Sequence, residues 1–189
     1  MTDAHDRNGK TAGGTLLWAA AGLVVMAALM RIVVHPWNFA PIGAMALFGG
    51  AALRRPVFAF AVPLAAMAAS DLLLGFMGRT QTMLGWVYAA FVLIGLLGFA
   101  LRRSHSPVRV AAASVGGSVL FYLVTNFGVW AGGWVGYPMT LGGLMASYTA
   151  AIPFFWNTLG GDLVWNAVLF GTLALISRRL PVPSGAHAA

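Results

Sequence analysis

The chain is 189 residues long, 60% hydrophobic and 8% charged. Its 11 basic and 4 acidic residues cannot cover the surface of a water-soluble domain of this size, where roughly a quarter of residues carry charge. Such an apolar content equally excludes disorder over most of the length. The net charge of +7 does not point to nucleic acid, because the basic residues stand singly or in small groups between apolar runs and not along one face. The chain has no cysteine, so disulfides, thiolate metal sites and cysteine nucleophiles are excluded.

Residues 1–14, MTDAHDRNGKTAGG, read as a disordered cytoplasmic tail. The apolar run 15–34 is long for a signal-peptide core and has no small-residue cleavage site before HPWNF, so it reads as a retained first helix. At 1.5 Å per residue it covers about 30 Å, the thickness of a hydrocarbon core. Further helices are expected at about 39–54, 57–76, 83–101 and 108–131. The second is short, begins with Pro41, and is expected to be tilted or only partly spanning. The third contains Pro63, which should kink it while a neighbouring helix covers the freed carbonyl. Small residues four apart, such as Ala46 and Gly50, Ala65 and Ala69, or Ala113 and Gly117, favour close helix contacts and a compact bundle.

Residues 143–177 would make one helix of about 52 Å, too long for a single unbroken crossing. Pro153 and Gly160-Gly161 are the expected breaks. They give either an interfacial or partly inserted helix near 143–157 followed by a sixth span, or two full spans and seven in all. Charge asymmetry separates the two. With the N-terminus inside, Arg7, Lys10, Arg54, Arg55, Arg102, Arg103, Arg109, Arg178 and Arg179 all lie on the inner side of a six-span topology. Arg31 and Arg79 alone lie outside. The expectation is therefore an all-α integral membrane protein, a compact six-helix transmembrane bundle over 15–178 with both termini cytoplasmic and a C-terminal tail over 179–189.

Polar side chains inside a bilayer are costly and mark function or bundle locking. Arg31, His35 and Asn38 are expected near the outer end of the first helix, Asp71 near that of the third, and Asn126 in the outer part of the fifth. Tyr137 falls in the outer loop, and Asn157 and Asp162 near the start of the sixth. One reading has Arg31 pair with Asp71 or Asp162 and hold the bundle together. The other has the whole set line a ligand cavity open to the outer face, with Trp37, Tyr88, Trp130, Tyr137, Tyr148 and Trp156 as its apolar cover. Tyrosine and tryptophan also collect at membrane interfaces without binding anything. His35 could donate to a ligand, coordinate a metal or cap the following loop. No second histidine joins it, and catalytic zinc usually takes three protein ligands. No GxxxxGK[ST], HExxH or GxSxG motif is present, and no cofactor is expected.

The strings HPWNFAPIGAMALFGG, VPLAAMAASDLLLG, TNFGVW, YPMTLGGL and AAIPFFWNTLGGDL resemble those of a widespread bacterial family of small uncharacterised integral membrane proteins. That family is similar in turn to the substrate-binding subunits of energy-coupling-factor vitamin transporters. The resemblance covers about residues 15–178. It implies a six-helix subunit of the inner membrane that captures a micronutrient from the outer side and docks on a transmembrane coupling protein driven by ATPase subunits. A small-residue face on the first helix, here Ala19–Ala21, Gly22, Ala27 and Ala28, would meet that protein. A cysteine that binds cobalt in one cobalamin carrier of this type has no counterpart. Two other function classes stay open: a membrane enzyme acting on lipid or quinone through Asp71, Asp162 and His35, and a non-catalytic assembly subunit.

Overall fold

The computed structural model describes residues 2–33, 38–78 and 84–179. Among these there are six α-helices and no strand: α1 (Thr2–Met30), α2 (Ile42–Ala52), α3 (Pro56–Phe76), α4 (Leu84–Gly98), α5 (Pro107–Ala131) and α6 (Leu141–Arg179). A short 3-10 turn, Phe99–Leu101, extends α4. Helix α1 starts at Thr2 and so runs through the polar segment expected to be a disordered tail, and its apolar part is Gly14–Met30. Helices α3, α5 and α6 are long and apolar enough to cross a membrane, whereas Gly14–Met30, Ile42–Ala52 and Gly85–Leu101 are shorter apolar helices.

The centre of the bundle is α2. Its sequence, IGAMALFGGAA, is apolar on every side, and Gly43 through Ala51 are all buried; a helix hydrophobic all round belongs in an interior. It touches each of the other five helices. Its 11 residues rise only about 16 Å, roughly half a hydrocarbon core. The helix expected over 39–54 is thus confined to the middle and one end of the bundle.

Glycines set how closely α2 is gripped. A Cβ on Gly50 would strike the carbonyl of Gly95, and one on Gly98 would strike the carbonyl of Leu47, so α2 and α4 meet backbone to backbone. On the α3 side, Gly49 lies under the ring of Pro63. The carbonyl of Ala59, which Pro63 deprives of its helical donor, also lies against Gly49. The proline's disruption of α3 is thereby covered by its neighbour, as expected for this position.

Helices α5 and α6 form an antiparallel hairpin. Ser106 caps α5 by accepting from the Arg109 amide, and Thr140 accepts from the Gly143 amide at the start of α6. The Trp130 indole donates to the Pro138 carbonyl and pins the connecting loop. Helix α6 runs unbroken through 39 residues, about 58 Å, so neither expected break occurs. Gly161 serves close packing instead: a Cβ there would lie 3.2 Å from the Phe39 Cα. The two helices touch through Ser118 and Asp162 and again through Asn126 and Ser147. Between these contacts α5 advances about 12 Å and α6 about 22 Å. Between them Tyr122 of α5 packs on Tyr148 and Phe155 of α6, with ring centroids 5.5 and 5.3 Å apart, on either side of Pro153.

The α2–α4 grip predicts unequal tolerance to a single methyl group. Gly50→Ala should destabilise the bundle by about 1–3 kcal/mol through overpacking against Gly95. Gly22→Ala, on α1 with nothing within 4 Å of the added atom, should be neutral or stabilising by up to about 1 kcal/mol. Equilibrium unfolding in detergent micelles measures both; equal losses would mean that the glycine contact is not what fixes α2.

Candidate functional site

The polar residues singled out from the sequence divide into two buried clusters and a scatter of surface positions. The first cluster lies where α1 and α3 end and α4 begins. Arg31, just beyond the last turn of α1, donates through Nη2 to Asp71 Oδ1 at 2.7 Å. The two side chains are only 4% and 9% exposed. Its other terminal nitrogen, Nη1, donates to the Ser70 hydroxyl and, at 3.4 Å, to the Met67 carbonyl. Ser70 passes its own hydrogen to that carbonyl at 2.8 Å. The second oxygen of Asp71 accepts from the Tyr88 hydroxyl of α4 at 3.0 Å. An arginine fork, an acid, a serine and a tyrosine from three helices thus satisfy one another.

The second cluster is built from α5, α6 and the start of α2. Asp162 and Asn166 are one turn apart on α6, and Ser114 and Ser118 one turn apart on α5, so each pair shares a helix face. The Ser118 hydroxyl donates to Asp162 Oδ2 at 2.7 Å, and the Asn166 amide donates to the Ser114 hydroxyl at 2.9 Å. Ser114 in turn donates to the Val110 carbonyl at 2.8 Å. Ser118 also has the Ser114 carbonyl within 3.0 Å, so its single hydrogen faces two acceptors. Asp162 is 2% exposed and Asn166 1%. Their Oδ1 atoms have no hydrogen-bond partner among the described residues.

The Asp162 carboxyl lies directly over the N-terminus of α2. Its Oδ1 would be 2.5 Å from a Cβ on Gly43, and the Ala44 amide is also directed at it. The first amides of a helix lack intrahelical acceptors, and Pro41, at the capping position, supplies no side-chain bond. Asp162 reaches this end of α2 from another helix, with the α2 dipole in its favour.

Asp162 therefore departs from its expected position. It lies about 25 Å before the end of α6 by helical rise, deep in the bundle and apart from Arg31 and Asp71. The expected convergence of Asp162 with the other site residues does not occur, because unbroken α6 carries it past the outer end. The Asn126 amide turns back onto the Tyr122 carbonyl of its own helix at 2.8 Å. Tyr137 is half-buried in the α5–α6 loop, and Asn157 is exposed on α6. Asn38 is an exposed turn residue with φ of 61°, a left-handed conformation that asparagine tolerates. His35 and Trp37, with Arg79 and residues 180–189, lie outside the described residues.

Of the expected aromatic cover, Tyr88 alone among the described residues reaches the first cluster. Tyr148 donates to the Leu123 carbonyl within the hairpin and Trp156 is exposed. The enzyme reading needed Asp71 and Asp162 together, and they occupy separate clusters with separate partners. Ser70, Ser114, Ser118 and Asn166 were not singled out from the sequence. The i, i+4 spacing of two serines on one apolar helix, and of an aspartate and an asparagine on another, was the signal available.

A family model matches residues 13–183; its description is a family of unknown function (DUF6580). No curated protein and no solved structure matches the chain. The uncharacterised-family part of the resemblance drawn from the sequence agrees with this match, and no comparison speaks for energy-coupling-factor transporters.

Breaking the buried ion pair from one side should cost more than removing it whole. Asp71→Asn, which leaves the Arg31 guanidinium buried without a countercharge, should destabilise the fold by about 3–5 kcal/mol, while the Arg31→Met/Asp71→Leu double variant should recover most of that loss. Unfolding midpoints of the two variants in one detergent provide the measurement, and equal destabilisation would exclude charge pairing as the cause.

Proposed function

The chain belongs to the DUF6580 family, and from its own geometry we propose that it is a membrane-embedded, non-enzymatic subunit that binds a small micronutrient for uptake across the bacterial inner membrane. The observation that carries this reading is the Arg31–Asp71–Tyr88 cluster. It holds opposite charges, both buried, at the end of the bundle where three helices terminate. A carboxylate or phosphate on a ligand can take the place of Asp71 on Arg31 without ever leaving the guanidinium unpaired. Tyr88 and Ser70 remain to orient it. The exchange exploits the arginine's fork, which offers two parallel donors to a planar anion.

The finer form of the proposal is a six-span subunit of the energy-coupling-factor type, with a coupling protein and ATPases as partners. Of the small-residue face of α1, Ala20, Ala27 and Ala28 are buried against the bundle and Gly22 is exposed. The outward stripe of α1 is Trp18, Val25 and Leu29, and that stripe is the surface available to a coupling partner or to lipid. A second reading, a non-catalytic assembly subunit, draws on one observation: Arg31 and Asp71 already satisfy each other.

Mass spectrometry of small molecules retained after purification in mild detergent tests the proposal. An anionic micronutrient-sized compound should accompany the wild-type chain near one per protein. Arg31→Lys, which keeps the charge and removes the fork, should retain it at least about tenfold less while remaining folded. Retention equal to wild type would remove Arg31 from the site. A stable complex with another membrane protein and no retained compound would favour the assembly role.

A further inference from the structure

At the opposite end of the bundle a partly open cavity of about 940 Å³ lies between the start of the apolar part of α1, the α2–α3 link, the α4–α5 link and the last turns of α6. Its walls divide by chemistry. Leu17, Phe170 and Leu173 form an apolar side, while Arg54, Arg55 and His105 stand at its polar side. The cavity also meets Arg102, whose side chain is committed elsewhere: Nε donates to the Gly50 carbonyl at 2.9 Å and Nη2 to the Leu53 carbonyl at 3.2 Å. The guanidinium stacks on Phe99 with 3.8 Å to the ring centroid. Arg102 is thus part of the frame, and Arg54 and Arg55 are exposed and show no such tie.

Asp71 and Asp162 lie in the two clusters above, away from this end. Burial, and after it the charge of Arg54, holds the His105 imidazole below its usual pKa. The imidazole ring packs edge-on against Phe170, with ring centroids 5.2 Å apart, so the polar and apolar walls are continuous. Such a combination suits an amphiphile: an anion for the guanidinium groups, and an attached hydrocarbon chain for the apolar wall.

We propose that this cavity binds the phosphate headgroup of an anionic phospholipid, with Arg54, Arg55 and His105 holding the phosphate and the first part of an acyl chain lying against Leu17, Phe170 and Leu173. Basic residues at the cytoplasmic end of a membrane protein serve orientation by themselves, and each adds a general attraction to anionic lipid. Arg103 and Arg109 therefore supply the discriminating control. They are exposed on the same α4–α5 link and the first turn of α5, carry the same charge, and do not line the cavity. A general attraction treats the two arginine pairs alike, and a built site does not.

The test uses the full chain in nanodiscs containing equal parts of phosphatidylglycerol and phosphatidylcholine. Lipid retained after transfer to detergent is quantified by native mass spectrometry. The wild type should retain phosphatidylglycerol selectively, Arg54→Gln/Arg55→Gln should lower that selectivity about tenfold, and Arg103→Gln/Arg109→Gln should change it by less than about twofold. Equal losses in the two double variants overturn the site and leave only surface attraction, and so does retention without headgroup preference. In a parallel arm, inorganic phosphate is added to delipidated protein. If it raises the unfolding temperature as much as phosphatidylglycerol does, the ligand is a soluble anion and the lipid assignment fails.

Discussion

A helix that begins and ends inside a protein leaves orphan amides at one end and orphan carbonyls at the other, and in a bilayer no water reaches them. Helix α2 is such a helix, and the chain answers both ends with charged side chains of the matching sign. Asp162 comes from α6 to the start of α2 beside Gly43 and Ala44, and Arg102 comes from the α4–α5 link to the carbonyls of Gly50 and Leu53. An acid at the positive end and a base at the negative end both complement the helix dipole. Two of the chain's few charges are therefore spent on backbone satisfaction. Gly49, Gly50, Gly95 and Gly98 then allow the neighbouring backbones to close around α2 without intervening side chains.

That division of labour distinguishes the two buried acids. Asp71 faces a full positive charge and a phenol, and its partners are side chains that can reorient. Asp162 faces a hydroxyl and the amide end of a helix, which are fixed once α2 is in place. The first arrangement can trade one anion for another at Arg31. The second cannot give up its carboxyl without uncapping α2. The acid most deeply buried is accordingly the worse candidate for ligand exchange, although burial alone would have ranked it first.

The sequence made a large part of this legible. Helical content, the cover over Pro63, a bundle drawn close by small residues, and Asp71 as one of two candidate partners for Arg31 all follow from residue type and spacing. What escaped was register in the third dimension. Reading Pro153 and Gly160-Gly161 as breaks put Asp162 at the start of a helix near the outer surface. In the fold the helix continues: Gly161 is used for contact with Phe39, and α6 runs through Pro153 with Tyr148 and Phe155 on either side packed on Tyr122 of α5. Proline and glycine mark local conformational options, and only tertiary neighbours decide whether those options are taken. The serines were missed for a related reason. Ser114 and Ser118 look like ordinary helix residues until α6 supplies Asn166 and Asp162 opposite them.

If solute binding requires motion, α2 is the least suitable element to move. Displacing it would expose amides and carbonyls that only Asp162 and Arg102 now answer, and would open glycine contacts that no side chain could refill. The rim around Arg31 is built differently: α1 ends at Met30, α3 at Phe76, and α4 starts at Leu84, so the cluster is held by helix ends and not by helix middles. On the proposed reading, a central helix in contact with all five others, flanked by the Arg31–Asp71 pair at one rim, lets that rim respond to a ligand while the core keeps its register. The same core separates the Arg31 rim from the basic cavity at the other end, so the two ends can take different ligands without competing for the same side chains.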